Sequence, residues 1–520
     1  MSRSFAAGFF LIVVLALALR LPQLNLRPMH NDEGVNAMKF RALWNDNKYQ
    51  YDPNEFHGPA LPYFTLPAAW LDTPHDFNDF SETTFRRVTA VFGVGLIFLL
   101  LLLRRDLGHA ETLWASLFLA ISPAMVFYSR YYIHEMLLVF FTALAFIAAW
   151  RYAGNRKPGW CLLAGAGLGL MFASKETFVF AVLSVVLAVG CARWRGPKLN
   201  QRAPWNYQHI MAGLGLAAVV AFLFFSSFLT NLAGPLDAIK TYGPWIHRAG
   251  GASPHTHPWN FYFTRLLCYQ AKGGPFWTEA LIVGLAIAGF GAALAGRASN
   301  VLLMRIIAFY TGWMTLIYTV LAYKTPWCLL GFFHGMILLA ALGAVTLLRV
   351  CKPPWLKGAV AILLAAATVQ LGWQAWRGNF ATDPGGVPYC DSAKNPYVYS
   401  QTTPDILRLI ATVQGLANVS PQGYGTVVEV MSPQSYWPLP WYLRRFVHIG
   451  FFNEIPAQPL ASIMIVSSDL HAAFDERPQK THLMAGYFEL RPNVFFELYV
   501  KIGLWSDYVK HLPPEKDDRN

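Results

Sequence analysis

Charge is the scarcest ingredient of this chain of 520 residues: Asp, Glu, Lys and Arg make up 13% of it, against 55% hydrophobic residues. A soluble globular chain carries about 25% charged residues, so the composition excludes that class and requires a protein whose main solvent is lipid. The six cysteines, at 161, 191, 268, 328, 351 and 390, form no CxxC and no His/Cys ligand spacing. That excludes a zinc knuckle and a thioredoxin-type redox motif. Most of them read as small apolar residues in or near helices, and sidedness alone keeps a disulfide between Cys268 and Cys390 open. No nucleic-acid motif and no internal repeat is present. The net charge of +12 is scattered between apolar runs, so it reads as orientation in a bilayer and not as a nucleic-acid partner.

What the chain has instead is long apolar runs. Residues 5–19 form an uncharged run behind Arg3 that passes into Arg20-Leu21-Pro22 without a polar cleavage region. It reads as a first membrane helix and not as a cleaved signal peptide. Crossing a bilayer takes about 20 mostly apolar residues. Ten further segments qualify, at 88–103, 112–128, 133–150, 160–174, 177–192, 209–231, 278–295, 302–322, 327–348 and 357–374, which makes eleven helices. With the N-terminus cytoplasmic, every inside loop is basic: Arg104 and Arg105; Arg151, Arg156 and Lys157; Arg193, Arg195, Lys198 and Arg202; Arg297 and Arg305; Arg349, Lys352 and Lys357.

The same orientation places loops 22–87 and 232–276, and everything after Trp376, on the external face. There charges and prolines return, and short β-type runs appear at 426–431, 446–449, 462–467 and 494–502 around a helical pattern at 404–416. The expected organisation is an α-helical polytopic domain over 1–375 and a small external α/β domain over 376–520, in the plasma (inner) membrane. Asn418-Val-Ser420 matches the N-glycosylation sequon. The small residues of GAGLG at 165–169 suit close helix contact and are assigned no chemistry.

The densest chemistry lies at 28–64: the acidic pair Asp32 and Glu33, His30 and His57, and an amphipathic run at 35–44, all just after the first helix. Asn31-Asp32-Glu33 is also how a plain helix starts, with a polar cap and acids in the first turn. Its company argues for more. Glu135 ends Ser129-Arg-Tyr-Tyr-Ile-His-Glu135 at the external start of the fourth helix, and Glu176 follows Lys175 at the external end of the fifth. Three short external turns each hold one base, Arg130, Lys175 and Lys324, where the orientation rule favours none. Snorkelling explains any one of them; three on the face that carries the acids read as an anion site. Ionisable groups at membrane depth cost about 2.5–3.5 kcal/mol each, so they pair or they function. Paired, they are structural. Divided, a carboxylate takes a proton from a hydroxyl and cations stabilise a departing phosphate. In loop 232–276, His247, His255 and His257 lie among Trp245, Trp259 and Tyr262, which suits an aromatic interface belt; the histidine spacing fits no standard ligand set.

The acidic pair in the first external loop, the His57-Gly-Pro-Ala-Leu-Pro-Tyr63 segment behind it and Glu135 in the second external loop resemble the GT-C glycosyltransferases of the protein O-mannosyltransferase and lipid A aminoarabinose transferase superfamily. Tyr323-Lys-Thr-Pro-Trp327 and Trp437-Pro-Leu-Pro-Trp-Tyr-Leu-Arg444 resemble signatures of the flippase-activity-associated proteins of archaeal N-glycosylation loci, and the likeness runs over essentially the whole chain. The resemblance implies inverting transfer of a sugar from a polyprenyl-phosphate donor to a hydroxyl of a glycan, lipid or protein acceptor outside the membrane. It implies Asp32 as general base with Glu33 in support, and Glu135 holding either the acceptor geometry or a divalent metal ion. Arg130, Lys324 and Lys175 would bind the lipid phosphate, with His57, Tyr63 and Trp327 on the substrate. For a metal the candidates are Glu135, His57, His255 and His257. Two other readings compete. A transporter or lipid-linked-sugar flippase would carry charges at the midplane and internal repeats, whereas the acids here stand at outer helix ends. A binding module in the external domain would not need eleven helices as its anchor.

Overall fold

Backbone surrounded by lipid must satisfy its own hydrogen bonds, and each apolar run accordingly folds as helix. The computed structural model describes residues 2–54, 57–194, 205–250, 253–457 and 461–512. Arg195, Lys198 and Arg202 lie outside the described residues, as does the side chain of His247. In chain order the helices are α1 (Arg3–Arg20), α2 (Asn31–Asp46), α3 (Ala60–Asp72), α4 (Glu82–Leu107), α5 (His109–Ile121), α6 (Pro123–Ser129), α7 (Glu135–Asn155), α8 (Pro158–Ser174), α9 (Phe178–Trp194) and α10 (Tyr207–Phe225). They continue as α11 (Gly234–Lys240), α12 (Tyr242–Gly250), α13 (Phe261–Leu267), α14 (Ala280–Leu294), α15 (Val301–Val320), α16 (Leu330–Val350), α17 (Pro354–Phe380), α18 (Asp405–Val419), α19 (Leu439–Tyr442) and α20 (Ile502–Lys510).

Each of the eleven expected spans overlaps a helix, and the one expected over 209–231 ends early, at Phe225. Among the described residues seven are long and apolar enough to cross a membrane: α1, α4, α7, α10, α15, α16 with its leading turn Pro326–Leu329, and α17. The pair α5 and α6 passes the same test only when counted together as one span, with a 59° bend in place of the straight helix expected over 112–128. The expected spans on α8, α9 and α14 are shorter apolar helices.

The chain divides into two compact units. The first comprises Met1–Leu24, Lys39–Pro74 and Phe80–Tyr399; the second comprises Asn25–Met38, His75–Asp79 and Ser400–Asn520. The expected boundary at 375/376 falls inside α17, and the first unit runs on to Tyr399 because residues after α17 pack back. Trp277 donates through Nε1 to the Lys394 carbonyl at 2.7 Å, and Tyr397 donates to Glu279 at 2.5 Å.

Of the seven long spans α16 is the most enclosed, packed by α14, α5, α15 and α7. The pair α8 and α10 lies close, with Gly165 facing the Gly213 carbonyl so tightly that a Cβ would collide with it. The break between α5 and α6 is held by opposite charges, as the partial charges of the two helix ends require. Arg20 donates to the Leu119 and Ala120 carbonyls at the end of α5, at 2.6 and 2.9 Å. Glu279 accepts from the Ser122 hydroxyl at 2.6 Å and from the Ala124 N–H at 2.8 Å where α6 begins.

The second unit holds a five-stranded sheet of β1 (Val428–Met431), β2 (Ile449–Phe452), β3 (Ile463–Ser467), β4 (His482–Arg491) and β5 (Val494–Lys501), in the order β2-β1-β3-β5-β4. β1 runs parallel to β2 and β3, and β5 antiparallel to β3 and β4. Period-2 alternation sends Val428, Val430, Ile463 and Ile465 under α18 and sends Met431, Met464 and Val466 to a second core with Phe474 and Tyr499. The run expected at 446–449 is a turn whose Phe446 enters the core, and the strand starts only at Ile449. β4 carries no expected strand; the ladder shifts register between Met484 and Gly486, and that irregularity breaks the alternation on which a strand is recognised.

Candidate active site

The acidic pair opens α2, and both acids belong to the second unit. His30 caps the helix, its carbonyl accepting from the Gly34 N–H at 2.9 Å. Glu33 reaches back to the His30 N–H at 3.0 Å, and His30 Nδ1 accepts from the Asp32 N–H at 3.1 Å. This is a reciprocal capping box in which an imidazole nitrogen replaces the usual hydroxyl oxygen. An accepting Nδ1 requires a neutral ring, and burial does hold His30 below its ordinary range against the pull of Asp32 and Glu33. Glu33 is fully buried and lies 3.4 Å from the Arg27 guanidinium.

Asp32 is only half-buried; Asn31 donates to its Oδ1 at 3.1 Å. The Trp437–Arg444 segment is the seat of this helix start. Ser435 donates to the Asn31 side chain at 2.9 Å, the Met29 N–H donates to the Tyr442 hydroxyl at 2.7 Å, and no side chain would fit between Gly34 and Pro438. Arg491, at the end of β4, donates to the Ser435 and Trp437 carbonyls. Burial lowers the Arg491 guanidinium and the nearby Asp32 charge works against that.

In the first unit the turn between α8 and α9, Lys175-Glu176-Thr177, gathers the remaining acids. Lys175 Nζ pairs with Glu135, and both side chains are buried. Burial pulls the Lys175 ammonium down, but Glu135 outweighs it and holds the group well above its ordinary value. Glu176 lies 3.1 Å from His57 Nδ1. Burial raises its carboxyl; the His57 ring and Lys175 prevail and leave it below the usual range. Gly58 makes this possible. Its N–H donates to the Ser174 carbonyl at 3.2 Å, and a Cβ would strike the Ala173 carbonyl, so only glycine lets the His57 segment press against the end of α8. The His57 ring packs against His134 at 4.9 Å between centroids. Glu135, Lys175, Trp327 and Cys328 line one cavity between α7, α9, α15 and α16.

The three basic turns do not converge as a bare anion site. Arg130 donates to the carbonyls of Arg20, Pro22 and Gln23 at 2.7 to 3.0 Å, which ties down the end of α1. Lys324 is buried and donates to the Leu321 and His257 carbonyls. At membrane depth an unpartnered cation is costly, so each base is matched by carbonyls or by a carboxylate. Only Lys175 stands on an acid beside a cavity.

His255 and His257 do not join Glu135 and His57. They meet Tyr399, whose hydroxyl lies 2.8 Å from His255 Nδ1 and 2.9 Å from His257 Nε2. Among the described residues no three His, Cys, Asp or Glu side chains converge as a metal site, so the donor set does not fit a metal held by these candidates. Tyr63 sits apart on α3, packed on Phe224 and Phe228 at 5.5 and 5.0 Å. Cys268 is a free, exposed thiol, so the disulfide to Cys390 does not form. Sequence reasoning passed over Arg491, Tyr399 and the capping role of His30, because none carries a local signal: each acquires its partner from distant chain.

Residues 64–247, which include Glu135 and Lys175, match the family of dolichyl-phosphate-mannose-protein mannosyltransferases. Among curated proteins no sequence matches the chain. Of solved structures, ArnT from Cupriavidus metallidurans bound to undecaprenyl phosphate superposes with a TM-score of 0.61 at 14% identity, over 94% of this chain and 97% of that one. The oligosaccharyltransferase of Archaeoglobus fulgidus, tethered with an acceptor peptide, gives 0.56 at 14% identity, over 87% of this chain. The same archaeal enzyme in complex with an inhibitory peptide and a dolichol-phosphate gives 0.53 at 13% identity, over 86%. This chain spans 64% of the archaeal enzyme's length. By its apolar helices the chain is a multi-pass membrane protein; its fold is similar to that of ArnT, and its segment 64–247 is similar to the mannosyltransferase family.

Proposed function

We propose that this protein transfers a sugar from a polyprenyl-phosphate donor to an acceptor hydroxyl on the external face, with inversion. The Asp32 carboxylate takes the hydroxyl proton as the oxygen attacks the anomeric carbon. The bond from that carbon to the phosphate oxygen breaks, and polyprenyl phosphate leaves as an anion. The observation that carries the reading is the split in the acidic pair: Glu33 is spent on the helix cap while Asp32 stays half-exposed at a helix N-terminus, where negative charge is favoured. Lys175, with Glu135 as its counter-charge, binds the donor phosphate; the lipid phosphates named for the structural neighbours and the matched family support a donor of this class. The N-terminus is cytoplasmic and the C-terminal unit external. No step is routed through a metal.

The test is mass spectrometry of lipid-linked sugars and surface glycans from cells lacking the protein, complemented with wild type or with Asp32→Asn. The amide keeps the carboxylate's shape and loses its basicity, so Asp32→Asn protein should insert normally, accumulate a polyprenyl-phosphate sugar and leave one glycan residue missing. Full complementation by Asp32→Asn would remove Asp32 from the base role.

A further inference from the structure

The buried stretch of α16, residues 330–345, carries one ionisable side chain, His334. It is 8% exposed, and its Nε2 is shielded without a hydrogen-bond partner among the described residues. Buried polar groups in folded proteins are almost always hydrogen-bonded, so a shielded imidazole nitrogen points to something the cavity holds.

Two cavities meet at this ring. The first is the one that Glu135 and Lys175 line at the external end of α7; it passes Met314 and Tyr310 and reaches His334. The second shares Thr142, Tyr310 and His334 with it and continues to Phe146 and Leu338. Their volumes, about 30 and 40 Å³, are too small for a sugar or a lipid chain. A water needs about 10–15 Å³ of such space and two to four polar partners, so each cavity has room for two or three waters among Thr142, Tyr310, His334 and the ion pair.

We propose that an internal water chain joins His334 to the Glu135–Lys175 pair, and that His334 is a positioning residue for that pair. Water held at one end by the imidazole solvates the carboxylate and ammonium at the other. It lowers the cost of drawing Lys175 off Glu135, so that the ammonium can turn to an incoming anion. The positioning role rests on the transfer reading; the water chain does not.

Radiolytic hydroxyl footprinting of the full-length protein in lipid nanodiscs reads the water directly, because water beside a side chain is the source of the radical. Met314 is 3% exposed, yet Met314 and Tyr310 should be oxidised in wild type. They should be about tenfold slower in His334→Phe, which dries the site, and near wild-type in His334→Gln, which still holds water. An unlabelled wild type overturns the proposal, and so does equal labelling in His334→Phe. Transfer kinetics read the second half: His334→Phe should raise the donor KM about tenfold with kcat within about twofold, and His334→Gln should restore it. Lost labelling with an unchanged donor KM overturns the positioning role. A wild type that accepts no polyprenyl-phosphate sugar overturns the transfer reading and the positioning role together, with the labelling result still deciding the water chain.

Discussion

Adjacent carboxylates of one charge meet different ends in Asp32 and Glu33. Removing the Glu33 charge takes an ion-pair partner from the buried Arg27 guanidinium, and breaking such a pair costs about 3 kcal/mol. Glu33→Gln should therefore lower the melting temperature in detergent clearly, while Asp32→Asn should leave it nearly unchanged and abolish transfer. Glu176 gives a second test, with pH as the variable. Its folded-state carboxyl is held below the ordinary value of 4.5, so its contribution to stability is present above that value and is lost as pH falls through the lower folded value. Melting between pH 6 and pH 3 should show an acid-side loss in wild type that is smaller in Glu176→Gln; parallel curves would detach Glu176 from the acid limb. The acidic pair was legible in the sequence as chemistry or as a helix start; the helix start is in the structure, and the chemistry of Asp32 is the proposal. Which acid takes which part was not legible, because it depends on where the cap falls: with His30 as the cap, Glu33 is the residue that reaches back. Charge and depth likewise marked Arg130 and Lys324 but could not show the carbonyls that hold them.

Elements behave as their ends dictate, and the break between α5 and α6 is the clearest case. Glu279 is fully buried and accepts from the Ser122 hydroxyl, the Ala124 N–H and the Tyr397 hydroxyl. Glu279→Ala strips three buried donors of their acceptor at once, which should destabilise by several kcal/mol, on the order of 3, with loss of folded monomer in a detergent thermal-shift assay. Glu279→Gln still offers an amide oxygen and should retain most of that stability; equal damage from both variants would mean that charge, not acceptance, matters. Helix periodicity announced the run at 112–128 but not its bend, since Ser122-Pro123 serves equally as an interior kink and as a helix start. The residues that hold the bend open, Arg20 and Glu279, lie about 100 and 155 positions away in sequence. β4 escaped notice for the opposite reason: its own local pattern is irregular, and only pairing with β5 makes it a strand.

For the whole molecule, the decisive quantity is which face of the bundle each loop meets. On the proposed orientation, in which the basic inside loops keep the N-terminus cytoplasmic, the acids at the start of α7 and just after α8 belong outside with the first loop. The proposed general-base role of Asp32 on an external acceptor stands on this orientation, so it merits its own test with thiols already in the chain. Cys268 is exposed in the loop between α13 and α14, on the side assigned as external; Cys351, partly exposed, follows α16 on the side assigned as cytoplasmic. A membrane-impermeant maleimide applied to intact cells should modify Cys268 and spare Cys351, as read by mass spectrometry of the two peptides, and permeabilisation should then admit Cys351. The reverse order would place loop 22–87 in the cytoplasm, where a donor sugar would have to be used before it crossed the bilayer, and the acceptor would have to be sought on that side. Equal labelling of both thiols in intact cells would mean that the three helices between them, α14, α15 and α16, do not carry the chain from one face to the other.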